Sequence, residues 1–103
     1  MDKEQAIKLV KKYVEIIRQK FDVNKVVLYG SYSRGNQTEW SDIDVAVFLN
    51  EKEGDTLASE FNLYKLRRNI DSRIEPIILD EENDASGFAK EVLKTGIVIY
   101  QSN

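Results

Sequence analysis

One stretch constrains this chain more than any other: Asp42-Ile43-Asp44-Val45-Ala46-Val47-Phe48-Leu49. Ile43, Val45, Val47 and Leu49 fall on one face and Asp42, Asp44, Ala46 and Phe48 on the other, the two-residue period of a β-strand. A helix would scatter the same side chains around its circumference. The second face of the strand begins with two acids, and the other elements have to build a sheet around it.

Lys25-Val26-Val27-Leu28-Tyr29 is short, β-branched and closed by Gly30, and reads as a buried strand. Arg73 to Leu79 reads as a third strand and Ile97 to Tyr100 as a short last one. Between them the period changes. From Lys3 to Phe21, Ala6, Leu9, Val10, Tyr13, Val14 and Ile17 recur at the spacing of one buried helical face, started by Asp2 and Gln5 in the pattern of a capping box. Leu57 to Ile70 carries Leu57, Phe61, Leu63, Tyr64 and Leu66 at helical spacing, behind the charged loop Asn50 to Asp55 and with Asp55 or Thr56 as N-cap. Ser86 to Lys94 places Phe88, Val92 and Leu93 on one side and stops at Gly96. Strands interleaved with helices predict an α+β (α/β-like) fold, a small sheet covered by helices on one face. With 103 residues and no repeat or linker, residues 1–103 are expected to form a single domain.

Composition narrows the chemistry. Apolar residues are 42% and charged residues 32% of the chain, the make-up of a folded soluble domain. No stretch approaches the ~18 apolar residues of a membrane span, and the charged N-terminus lacks a signal region, so a cytoplasmic location is expected. The absence of Cys removes disulfides, thiolate zinc sites and thiol nucleophiles, and the absence of His removes a Ser-His-Asp triad and the usual proton shuttle. Catalysis would have to use carboxylates, Lys, Arg, hydroxyls and hard, oxygen-bound metals. A net charge of −3 argues against a protein whose main ligand is a nucleic-acid backbone.

Gly30-Ser31-Tyr32-Ser33-Arg34-Gly35 leaves the strand at Tyr29, and the acid pair Asp42 and Asp44 follows. A Gly-Ser turn that enters a short helix offers backbone N–H groups and a hydroxyl to phosphate oxygens. Two carboxylates on one face of a strand suit Mg²⁺ bound together with substrate phosphates. Each feature alone is weak, because a Gly-Ser turn is most often only a turn and an Asp-x-Asp at a strand edge is usually solvated. Joined at this spacing, they should arise by chance in roughly one such chain per thousand at ordinary residue usage.

The segment GSYSRG, the gap after it and SDID resemble the nucleotidyltransferases of the DNA polymerase beta superfamily, specifically their minimal branch found in HEPN/MNT toxin–antitoxin pairs. That resemblance implies a polymerase beta palm-like fold with a small mixed sheet. It places Gly30, Ser31 and Arg34 on the triphosphate of ATP, and Asp42 and Asp44 on two Mg²⁺ ions. The third acid of the family lies in an apolar, acid, apolar pattern on a later strand; its match is Ile74-Glu75-Pro76-Ile77, with Glu75 in place of the usual Asp. Pro76 implies that this strand is an edge or carries a bulge. Tyr32 and Trp40 flank the segment, with stacking on a base and packing both open to them.

By resemblance, the reaction is Mg²⁺-dependent transfer of AMP from ATP to a hydroxyl of a HEPN-type partner protein, with this chain as the antitoxin and a homo-oligomer as the other way to complete the cleft. Two readings compete: an antitoxin that only masks its partner, and nucleotidyl transfer to a small molecule of aminoglycoside type. Glu81, Glu82 and Asp84 read as a solvated loop, Asp80 is the fallback acid should Glu75 prove a surface residue, and Lys65, Arg67 and Arg68 form a basic patch where positive charge suits a helix C-terminus.

Overall fold

The computed structural model describes residues 1–50 and 56–102. Four strands, β1 (Val23–Tyr29), β2 (Ile43–Leu49), β3 (Ile74–Ile78) and β4 (Ile97–Gln101), form one sheet in the order β3-β2-β1-β4. β1 runs antiparallel to both β2 and β4, and β2 runs parallel to β3, so the sheet is mixed. The helices are α1 (Lys3–Ile17), α2 (Ser31–Arg34), α3 (Thr56–Leu66) and α4 (Phe88–Thr95), with a 3₁₀ turn at Arg67–Asn69 after α3. Among the described residues no helix is long and apolar enough to cross a membrane.

The alternation in β2 is realised as two cores. Ile43, Val45 and Val47 join Val26 and Leu28 of β1, Ile74 of β3 and the α1 stripe Ala6, Val10, Tyr13, Val14 and Ile17. On the opposite face Ala46 and Phe48 pack with Val27 and with Ala89 and Val92 of α4. The expected one-sided cover therefore holds for α1, α2 and α3, and α4 departs from it. The cause is in the strands: Val27, Ala46 and Phe48 point away from α1 and are too apolar to be left in water. α4 covers that second face beside Tyr29, whose ring meets Phe88 edge-on at 5.8 Å.

Element ends move for local reasons. The capping box at Asp2 forms, with Gln5 N–H donating to the Asp2 carboxylate at 2.8 Å and Asp2 N–H to the Gln5 side chain at 2.9 Å. α1 stops at Ile17 rather than Phe21, because the amides of Gln19 and Lys20 reach back only three residues, to Ile16 and Ile17. Gly96 ends α4 as expected, but for want of room: a Cβ there would lie 2.5 Å from Val27 Cγ1 and 2.6 Å from the Val92 carbonyl oxygen.

α3 departs most from its pattern. Leu63 is its fully buried residue, while Leu57, Phe61 and Tyr64 are 73%, 59% and 42% exposed. Apolar residues occur on both sides of this helix, so spacing alone cannot tell which side faces the sheet. The rings of Phe61 and Tyr64 are instead covered by cations, Lys65 Nζ at 5.0 Å and the Arg67 guanidinium at 3.6 Å. The expected loop after Asn50 and the alternative cap Asp55 lie outside the described residues, and Thr56 is the first residue of α3.

Candidate functional site

The turn after β1 is built on Gly30, whose φ of 74° and ψ of −148° belong to a region that side chains other than glycine scarcely enter. Space demands glycine as well. A Cβ at Gly30 would sit 2.2 Å from Asp44 Oδ2 and 3.1 Å from Asp44 Cγ, so the Asp44 carboxylate rests directly on the bare backbone. α2 begins immediately at Ser31, and its first N–H groups have no acceptor inside the helix. The Ser33 hydroxyl and the Arg34 amide donate to the Gly30 carbonyl at 2.9 and 3.2 Å, which closes the turn on itself.

Strand register sets the acids. Tyr29 of β1 pairs with Asp44 of β2, and Asp44 pairs with Glu75 of β3, so the three side chains form one row across the sheet, on the face opposite α1. Asp42 lies two residues before Asp44 and its charge reaches the Asp44 carboxyl. Burial first, then the charges of Asp42 and Glu75, hold that carboxyl above the usual carboxylate range, and Arg34 opposes the rise. The same field acts on the phenol of Tyr29, pushed up to about 12 by burial, Asp44 and Glu75. Gly30, Ser31, Arg34, Asp42, Asp44 and Glu75 thus meet at one end of the three strands.

Among the described residues no three acids converge into a ready-made metal cage. Mg²⁺ does not need one, since it typically takes one or two carboxylates and completes its shell with water and substrate phosphate. The surplus negative charge that lifts Asp44 is what a cation would relieve, and the all-oxygen donor set is the one Mg²⁺ prefers. The residues present fit the ion.

Glu75 sits on an edge strand, as Pro76 requires, and Glu60 of α3 caps that edge by accepting from the Ile78 amide at 2.9 Å. The Glu75 side chain is 43% exposed, and its carboxylate pairs with Arg67 at 3.2 Å. Of the two aromatic residues flanking the turn, Tyr32 is fully buried in the α1-side core, whereas Trp40 is 84% exposed. Asp80 is remote: it follows β3 and lines a cavity of about 510 Å³ with Asn24, Asn50 and Glu82, at the far end of the sheet, five residues on from Glu75 or roughly 16 Å at the rise of a strand. Sequence reasoning missed Tyr29 and Arg67. Tyr29 had a signal, as the last strand residue before the turn; Arg67 had none beyond its place in a basic run.

The chain matches the family described as polymerase beta, nucleotidyltransferase over residues 11–103. It is 30% identical over 104 aligned residues to a Methanocaldococcus jannaschii protein described as a candidate protein adenylyltransferase, an alignment that spans 97% of this chain and 100% of the relative. Two further candidate protein adenylyltransferases of that organism, 34% and 41% identical over 60% and 42% of this chain, are matched over 62% and 44% of their own lengths, less than two thirds of either. In structure it resembles a candidate nucleotidyltransferase from Sulfolobus solfataricus, with a TM-score of 0.69, 26% identity and coverage of 96% of this chain and 83% of the other. A toxin–antitoxin structure containing AMP-PNP has a chain that matches with a TM-score of 0.70 and 25% identity, over 90% of this chain and 74% of that one.

Proposed function

This chain belongs to the polymerase beta nucleotidyltransferase family, and on that premise we propose that residues 1–103 act as one minimal catalytic domain that transfers AMP from ATP to a hydroxyl of a partner protein, as the antitoxin of a HEPN-type toxin in the cytoplasm. The observation that carries this reading is the seat of the Asp44 carboxylate on the Gly30 backbone, which joins the turn suited to phosphate to Asp44, to Glu75 beside it in the sheet and to the neighbouring charge of Asp42. Adenylyltransferase descriptions among the relatives and AMP-PNP in a neighbouring toxin–antitoxin structure favour ATP and a protein acceptor.

The residues divide the work. Gly30 admits phosphate oxygens to the backbone, and Ser31, Arg34 and the first amides of α2 fix the triphosphate by hydrogen bonds and charge. Asp42 and Asp44, with Glu75 beside them, would hold Mg²⁺, in two ions by the family pattern, which when bound supplies positive charge to the phosphates and acidifies the acceptor hydroxyl. The acceptor oxygen bonds to the α-phosphorus as the bond from that phosphorus to the α–β bridging oxygen breaks, and pyrophosphate leaves. The hydroxyl proton passes to a carboxylate oxygen of Glu75. No covalent intermediate with the enzyme is formed.

The decisive experiment incubates the protein with α-labelled ATP, Mg²⁺ and a candidate HEPN-type protein, and reads intact mass on both chains. A gain of one AMP on the partner, lost with Asp42→Asn and Asp44→Asn together, is expected. Protection by the double variant with no label anywhere would instead establish a masking antitoxin, and label on a small hydroxyl compound with no partner present would establish small-molecule transfer.

A further inference from the structure

Arg67, the first residue of the 3₁₀ turn, reaches across the sheet edge to the acid row. Its Nη1 donates to the carbonyl oxygens of Ser72 at 2.6 Å and Ile74 at 3.1 Å, and to Glu75 Oε1 at 3.2 Å. Nη2 donates to the Tyr64 hydroxyl, and the guanidinium carbon lies 3.6 Å from the centre of the Tyr64 ring. An ion pair between two exposed side chains holds nothing in place, because either can swing away. This pair is lopsided: the Arg67 side chain is 15% exposed against 43% for Glu75. Two backbone carbonyls at the start of β3 and an aromatic face fix the guanidinium before Glu75 is counted. The cation is therefore part of the frame, and the carboxylate is the group that is held.

That asymmetry suits a residue that acts through another. Glu75 shares its row with Asp44, and Asp42 adds a further negative charge, so repulsion would drive an unrestrained Glu75 out toward solvent. Its extra methylene, compared with the family's usual Asp, adds a rotatable bond and makes restraint more necessary. We propose that Arg67 is the positioning residue of this site: anchored on β3, it holds the Glu75 carboxylate beside Asp44 so that it can accept the proton of the incoming hydroxyl. The inference rests on the reading of Glu75 given under Proposed function. Lysine replaces this group only in part, because a single ammonium can donate to the carbonyls and the carboxylate but cannot at the same time donate to the Tyr64 hydroxyl as Nη2 does, nor lay a planar cation on the Tyr64 ring.

The test is a cycle of Arg67→Met, Arg67→Lys, Glu75→Gln and Arg67→Met with Glu75→Gln, read by Mg²⁺-ATP affinity in calorimetry, by kcat and KM for AMP transfer, and by urea unfolding without nucleotide. Arg67→Met should lower kcat about 10²-fold, the usual result of misplacing a reacting group, with ATP affinity and KM within about threefold of wild type. Arg67→Lys should recover part of the loss. In the Glu75→Gln background, Arg67→Met should cost no more than about twofold further, since both changes act on one step. The same loss in both backgrounds, or a loss that follows urea stability across the series, overturns the proposal in favour of a purely structural Arg67. A wild-type kcat in Arg67→Met beside an impaired Glu75→Gln overturns it while leaving the site reading intact. A wild-type rate in Glu75→Gln overturns the site reading and this inference together. If Arg67→Met does not fold, Arg67→Lys completes the cycle.

Discussion

Replacing Gly30 by alanine tests the link between fold and site in one atom. The added Cβ would meet Asp44 Oδ2 at 2.2 Å, inside any van der Waals contact, and the backbone would keep a φ of 74° with ψ of −148°. That backbone region costs roughly 1–3 kcal/mol for a residue with a side chain. Part is offset by the reduced freedom of alanine in the unfolded chain, about 0.4–1 kcal/mol. Moving the Asp44 carboxylate aside adds to the cost, so a net loss near 2 kcal/mol is expected, about 8–16 °C in Tm for a domain of this size. Gly87 supplies the control, at the start of α4 with a φ of 76° and nothing within 4 Å of a built Cβ. Gly87→Ala should lose only about 1 kcal/mol from left-handed strain. Urea unfolding gives the stabilities, and calorimetry of folded protein well below Tm gives Mg²⁺-ATP affinity. Gly30→Ala should lose at least tenfold in affinity and Gly87→Ala none. Equal stability losses in the two variants with equal ATP affinities would refute the argument that Asp44 is seated on Gly30.

The remaining predictions concern charge, proton transfer and packing. Because the Asp44 carboxyl is held above its usual range in the folded state, the folded protein keeps that proton more tightly than the unfolded chain and loses stability as pH rises from about 4 through the raised value. Asp44→Asn should therefore unfold at a higher urea concentration than wild type at pH 7, with the advantage shrinking toward pH 4 and with added Mg²⁺ stabilising only the wild type. Glu75→Gln should reduce AMP transfer at least 10²-fold while leaving ATP affinity within a few-fold, since proton acceptance acts in the transition state; quenched-flow rates beside calorimetry would show whether the two separate. Tyr13→Phe should cost about 1–3 kcal/mol in urea unfolding, because the buried Tyr13 hydroxyl donates to the Leu63 carbonyl at 2.5 Å and its loss strands that oxygen between α1 and α3.

What could be read from the residues follows from how locally each feature is determined. The two faces of β2 were legible because alternation is a property of eight adjacent residues, and both cores obey it. The Asp2 capping box was legible for the same reason, and the Gly96 stop from its residue type; the contact of Gly30 with Asp44 depends on β1 pairing with β2 and was legible only through the joined motifs and the family they resemble. The side of the sheet taken by α4 was not, since Val27, Ala46 and Phe48 show that a second face needs cover without saying which helix supplies it. Nor was the inward side of α3, where Leu63 and Phe61 compete on equal terms until β3 is in place. Arg67 escaped notice because its partners, Ser72, Ile74 and Glu75, become neighbours only when the chain turns back along the edge of the sheet.

The mixed pairing of the sheet also separates the site in time. Tyr29 and Asp44 belong to two antiparallel strands, and Gly30 and Asp42 stand at the two ends of the connection between them, residues 30–42, a comparatively local closure that costs little chain entropy. Glu75 arrives on a parallel strand, after the chain has passed through α3 and crossed back over the sheet, a non-local pairing that closes more slowly. The half of the site that grips a triphosphate should then be born before the half that takes the proton. Pulsed hydrogen exchange during refolding should protect the amides of Val27 and Ala46, paired across β1 and β2, ahead of those of Ile43 and Leu79, which donate across the β2–β3 edge to the Arg73 and Val47 carbonyls, and nucleotide present from the start should speed the first phase and leave the second unchanged.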